Sequence, residues 1–256
     1  MARVRWQGLV LARALALGLA LGAAGCGQSG AGPADTGPAD GTPSARTAPA
    51  SPVGDRIGTL FVGREGGPRA CTASVVDSPR RNLLVTAAHC VQSASFGRLD
   101  DLVFAPGYRN GKLPYGSWPV QQVLVDQGWS EREDPEHDVA FLTVAPVGGR
   151  EIADVLGGFR LGTDLGFGLP VSVTGYPNEA EEPITCSNLT SRQSTTQERF
   201  DCHGYTNGTS GSPWVTGAGE VVGVIGGYQE GGDTERTSYS ITFDQRVSEL
   251  YRRATA

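Results

Sequence analysis

The chain has 256 residues and a formal charge of −6, with 21 lysines and arginines against 27 acids. Lys112 is the one lysine and no basic run exists, which argues against nucleic acid as a partner. About 200 residues follow Val53, enough for two small β-barrels or one larger domain.

The first segment runs basic, apolar, small. Arg3, Arg5 and Arg13 precede a purely apolar stretch from Ala14 to Leu21, then Gly22-Ala23-Ala24-Gly25. This is the layout of a secretory signal over residues 1–25. The apolar run ends at Ala24, short of the roughly 20 residues that a membrane-spanning helix needs. Cys26 follows at once, in a context that resembles the lipobox of bacterial lipoproteins, although Ala23 stands where leucine is usual. Lipidation of Cys26 is the expectation; ordinary signal cleavage nearby is the alternative. Residues 26–52 read as a disordered tether or a removed propeptide. They hold Pro33, Pro38, Pro43, Pro49 and Pro52, repeat Gly-Pro-Ala-Asp at 32 and 37, and carry no large apolar residue.

From Val53 the chain reads as all-β. Short β-prone runs recur at 58–63, 70–76, 83–86, 101–104, 121–125, 139–144, 170–174, 213–215, 221–225 and 238–242. Gly, Pro and Asn separate most of them, a pattern of sandwiches and barrels that periodicity alone does not resolve. Residues 247–253 read as a short C-terminal helix.

Three blocks carry chemistry. Thr86-Ala87-Ala88-His89-Cys90 ends a predicted strand, His137-Asp138-Val139-Ala140-Phe141-Leu142 opens one, and Gly208-Thr209-Ser210-Gly211-Ser212-Pro213 is glycine-rich. A hydroxyl becomes a good nucleophile when a base takes its proton, and a histidine titrates near neutrality. A buried carboxylate fixes the tautomer of that histidine. The blocks, in the order His, Asp, Ser, resemble those of chymotrypsin-fold serine proteases over residues 55–250. The resemblance implies two six-stranded antiparallel β-barrels, about 53–150 and 151–256, with an active site between them. It implies His89 as general base, Asp138 as orienter, Ser210 as nucleophile and the N–H groups of Gly208 and Ser210 as the oxyanion hole. Asp126 and Asp134 compete with Asp138 but do not open an apolar strand. The resemblance also implies disulfides Cys71–Cys90 and Cys186–Cys202, which suit an oxidising compartment.

The chain departs from that family in informative places. Thr209 replaces the aspartate that receives a new amino terminus in trypsin-like zymogens, so activity is expected without that switch. The block from Asn207 to Pro213 resembles the bacterial glutamyl endopeptidase branch, yet Ile225 stands where that branch has a glutamate-reading histidine. Gly204 replaces the trypsin pocket aspartate, and Gly226 replaces a serine that supports the triad aspartate. Gly204, Ile225, Gly226 and Gly227 are the expected pocket residues, with the preferred side chain left open. No metal or other cofactor is expected, since three scattered histidines and paired cysteines form no ligand cluster. The expected protein is a secreted or surface-anchored serine endopeptidase, a monomer acting on proteins or peptides. It would meet a membrane only through a lipid on Cys26. A catalytically silent protease-like binding module is the alternative, and an esterase on another fold is disfavoured by the order of the triad.

Overall fold

The computed structural model describes residues 41–256. The expected signal sequence, Cys26 and most of the expected tether lie outside the described residues. The strands of the first half are β1 (Arg46–Thr47), β2 (Ile57–Val62), β3 (Arg69–Val76), β4 (Leu83–Thr86), the β5 (Gln92–Ser93) and β6 (Gly97–Arg98) hairpin, β7 (Leu102–Pro106), β8 (Trp118–Val125) and β9 (Ala140–Val144). Six of them close a barrel in the order β2-β3-β4-β9-β8-β7. Apolar side chains fill it, among them Leu60, Val75, Leu84, Phe104, Trp118, Phe141 and Leu142. Helix α1 (Gln127–Arg132) enters between β8 and β9, and helix α2 (Ile152–Leu156) begins the crossover to the second half.

The second half holds β10 (Arg160–Leu161), β11 (Pro170–Gly175), β12 (Ile184–Arg192), β13 (Gln197–Asp201), β14 (Pro213–Thr216), β15 (Glu220–Val224) and β16 (Thr237–Ile241). Here the expectation of a second closed six-stranded barrel is modified. Together with β1 these strands form an eight-stranded sheet system, ordered β10-β15-β14-β11-β12-β13-β16, whose ladder does not close. The seam between β15 and β16 is stitched instead by single bonds, from Gly226 N–H to Tyr239 O at 2.9 Å and from Val224 N–H to Ser240 Oγ at 2.9 Å. A separate core gathers Val171, Val173, Phe200, Tyr205, Trp214 and Val222 around the Cys186–Cys202 disulfide.

The two ends of the described chain both cross over. Regular structure begins before the Val53 boundary that composition gives, because β1 pairs antiparallel with β12, Arg46 opposite Thr185 and Thr47 opposite Ile184. Further bonds run from Ala45 N–H to His203 O, His203 N–H to Pro43 O and Ala48 N–H to Pro183 O, at 2.8, 2.9 and 2.8 Å. Edge pairing of this kind uses the main chain, so a segment of Pro, Ala, Arg and Thr takes up a strand without an apolar side to bury. At the other end helix α3 (Gln245–Thr255) is capped by Asp244 and buries Val247 and Leu250. It lies on the first barrel, where Tyr251 meets the Phe141 ring edge-on at 5.7 Å and donates to Asp77 O at 2.7 Å.

Candidate active site

The three chemical blocks arrive from both halves. His89 sits in the turn after β4, and Asp138 ends the 3₁₀ turn Pro135–His137 just before β9. Ser210 lies between β13 and β14. His89 and Ser210 line one cleft of about 1000 Å³. Asp138 lies behind His89 with no exposed surface.

Its carboxylate takes three N–H donors. Oδ1 accepts the His89 backbone N–H at 2.9 Å, and Oδ2 accepts the Gly227 N–H at 2.7 Å. Oδ2 also lies 2.8 Å from His89 Nδ1. An acceptor there fixes the proton on Nδ1 and leaves Nε2 free to act as a base. Burial favours the neutral acid, but the His89 charge and the bonds from His89 and Gly227 outweigh it and hold the Asp138 carboxyl below its ordinary value. Burial likewise opposes the imidazolium, and Asp138, with a smaller contribution from Glu230, outweighs it and raises His89. The two directions agree: each partner stabilises the charged form of the other. Trp129, buried and bonded to Gln92 O, flanks the imidazole with ring centroids 6.5 Å apart.

The competing aspartates are occupied elsewhere. Asp126 caps α1 and pairs with His137 at 2.8 Å. Asp134 caps the 3₁₀ turn through Glu136 N–H. His137 is thus a structural neighbour of Asp138 and does not reach the cleft.

The loop that carries Ser210 is gripped by Thr72 of β3. Thr72 N–H donates to Ser210 O at 2.8 Å, and Thr72 Oγ1 donates to Gly208 O at 3.0 Å. Thr209 N–H and Gly211 N–H bond to Thr206 O and Ile225 O. The N–H groups of Gly208 and Ser210 have no acceptor among the described residues, which leaves them available to an oxyanion. Gly211 packs so tightly on Thr86 Oγ1 and Thr72 O that a side chain there would collide with both. Thr209 is buried, and its hydroxyl bonds to Thr206 O at 2.7 Å.

The expected pocket residues separate. Ile225 lines the cleft, whereas Gly204, Gly226 and Gly227 do not. Gly204 looks toward Ala45 of the N-terminal segment. Gly226 and Gly227 lie against Asp138, whose Oδ2 accepts the Gly227 N–H. Sequence reasoning missed the other wall, Gln229 to Glu235, whose Gly231-Gly232 pair is its one local sign. Four carboxylates line the cleft, Glu133, Glu230, Asp233 and Glu235, and no lysine or arginine does.

Both disulfides form, Cys71–Cys90 with Cα atoms 5.9 Å apart and Cys186–Cys202 with Cα atoms 6.7 Å apart. Among the described residues the one grouping of potential metal donors is Cys71, His89 and Cys90. Its sulfurs are joined to each other, so it offers no thiolate and does not fit a metal ion.

Comparison with known proteins places the chain by family and fold. The family profile for the trypsin-like peptidase domain matches residues 71–224. The protease Anisep from Arthrobacter nicotinovorans is 25% identical and superposes with a TM-score of 0.70, covering 78% of this chain and 95% of its own. The thermostable serine protease AL20, from an extremophilic microorganism, is 25% identical with a TM-score of 0.71, covering 80% and 99%. A Glu endopeptidase at 18% identity shares the fold, with a TM-score of 0.69 over 84% of this chain and 98% of that one. An extracellular metalloprotease of Bacillus subtilis strain 168 is 31% identical over 108 residues. That alignment spans 42% of this chain and a third, 33%, of the relative.

Proposed function

We infer that this chain, which belongs to the trypsin-like peptidase family, is an exported serine endopeptidase working through His89, Asp138 and Ser210. The observation that carries this reading is the buried Asp138–His89 pair at the edge of a cleft that also holds Ser210. In the reaction Ser210 Oγ attacks the scissile carbonyl carbon while His89 Nε2 takes its proton. The carbonyl oxygen gains the charge and meets the N–H groups of Gly208 and Ser210, a contribution of roughly 3 kcal/mol per donor. Collapse breaks the C–N bond, and His89 returns the proton to the departing amine. Water, deprotonated by His89, then hydrolyses the acyl-enzyme. Asp138 stays ionised throughout and stabilises the imidazolium.

The buried, internally bonded Thr209 supports activity that needs no newly cut amino terminus. Four carboxylates in the cleft oppose a glutamate or aspartate beside the scissile bond, and Ile225 offers no cation to receive one. The two disulfides and the basic, apolar, small start of the chain support export, with a lipid on Cys26 as its membrane tie.

Fluorophosphonate labelling of the full oxidised chain, beside Ser210→Ala, tests the reading. Labelling should vanish in the variant, and the wild type should cut casein at sites poor in acidic residues. A folded wild type that neither labels nor cleaves would favour the silent binding module.

A further inference from the structure

We propose that Gln197, on β13, is a positioning residue of the triad. It acts on Asp138 through two turns at once, and the assignment rests on the reading of His89, Asp138 and Ser210 given above.

Asp138 is presented by the 135–137 turn and is bonded from the other side by Gly227 N–H. These two turns are far apart in sequence, and neither belongs to a strand. One side chain ties them together. Gln197 Nε2 donates to Pro135 O at 3.1 Å and to Glu136 Oε1 at 3.1 Å. Its Oε1 accepts the Tyr228 N–H at 3.1 Å. The partners fix the orientation of the amide, because a flip would set an NH₂ against an N–H and an oxygen against a carbonyl. Gln197 is 3% exposed, so these bonds do not compete with water.

The packing is as specific as the bonding. Gln197 Oε1 is pressed against Gly227, where any side chain would collide with it. A Cβ on Gly226 would lie 3.0 Å from Asp138 Oδ2. Bare main chain at 226 and 227 therefore lets the turn reach the carboxylate, and neither of those two residues has a side chain with which to hold it. The amide sets the height of the Gly227 N–H over Asp138 Oδ2 and, through Pro135 and Glu136, the depth of Asp138 itself. The planar amide offers two donors and an acceptor at this reach; a carboxylate of the same shape loses the donors and faces Glu136.

Gln197→Met, of similar shape without hydrogen bonds, tests this in the full oxidised chain. The fluorophosphonate labelling rate should fall about 10- to 100-fold, the range for removing an orienting partner, with KM for a peptide substrate unchanged. Asp138, less firmly held, raises His89 less, so the acid limb of the rate profile should move to lower pH. The His89 Nδ1–H proton resonance should broaden or move with it. A folded variant that labels within twofold of wild type with an unmoved acid limb overturns the proposal. So does slower labelling with an unmoved Nδ1–H resonance, which marks a purely structural role. Gln197→Glu supplies the same readings if the methionine variant does not fold. If the wild type itself fails to label, the proteolytic reading fails, and the resonance still reports whether Gln197 positions the pair.

Discussion

Replacing Asp138 by asparagine removes one charge and puts two N–H groups where three donors already converge. With its oxygen at the Oδ2 position, the new amide keeps the bonds from Gly227 N–H and His89 Nδ1, and its nitrogen faces the His89 backbone N–H. The flipped amide opposes Gly227 N–H and donates to Nδ1 of the Nε2–H tautomer. Each arrangement leaves one opposed pair, which costs about 1–3 kcal/mol. A serine hydroxyl in the place of Gly227 N–H could turn and accept; the main-chain N–H cannot. The two arrangements are therefore close in energy, the Nδ1–H tautomer should keep a substantial share, and most of the loss should be that of charge. Exchanging charge-assisted bonds for neutral ones removes about 2–4 kcal/mol from the stabilised imidazolium, so kcat/KM should fall about 30- to 1,000-fold. Stopped-assay kinetics on a fluorogenic peptide, with ¹⁵N-imidazole spectra, measure both quantities. A drop near 10⁴-fold with the imidazole wholly in the Nε2–H form, the outcome of a wrong tautomer, would sink this account.

Glu198, 2% exposed, is pushed up from 4.5 to about 7 by burial, partly offset by a bond from Thr190. The folded state binds the extra proton, so its stabilisation is full below about pH 4.5 and fades as pH rises through 7, by about 3 kcal/mol in all. Glu198→Gln should accordingly raise Tm at pH 8 far more than at pH 5; equal shifts at both would count against this account. Removing the Cys71–Cys90 bridge, which spans 19 residues, should cost about 3 kcal/mol in urea unfolding and slow labelling, since Cys90 adjoins His89. A chain starting at Val53 should melt below one starting at Gly41, because it lacks β1 and the bonds of Ala45 and Ala48, each worth about 1 kcal/mol. Equal melting temperatures would show that pairing to be idle.

The candidate site was legible where its residues are local. His89, Asp138 and Ser210 each sit in a short block whose residues shape their own turn, and the order of the blocks pointed to the fold that periodicity left undecided. What supports those residues was not legible. Gly227 contributes a main-chain N–H, which no residue type advertises, and Gln197 reaches turns some 30 and 60 positions away. The β1 strand was hidden for the same reason: its composition is that of a linker, and its structure comes from the edge it joins. Gly204 followed the family pattern by spacing, but Ala45, a residue of that unrecognised segment, occupies the space beside it.

The crossing of the two chain ends has a mechanical meaning. The start of the described chain is a strand of the second half, and its last helix is a lid on the first barrel. Each half thus holds the other by a terminal arm, as in two clasped hands, and the cleft lies at the join. Opening that cleft widely requires one arm to peel away, so substrate must be admitted by a groove of nearly fixed width. Separate halves would each lack a piece carried by the other. Unfolding should proceed as a single cooperative event, and a nick in the loop between the halves should leave two fragments that stay together and keep their activity.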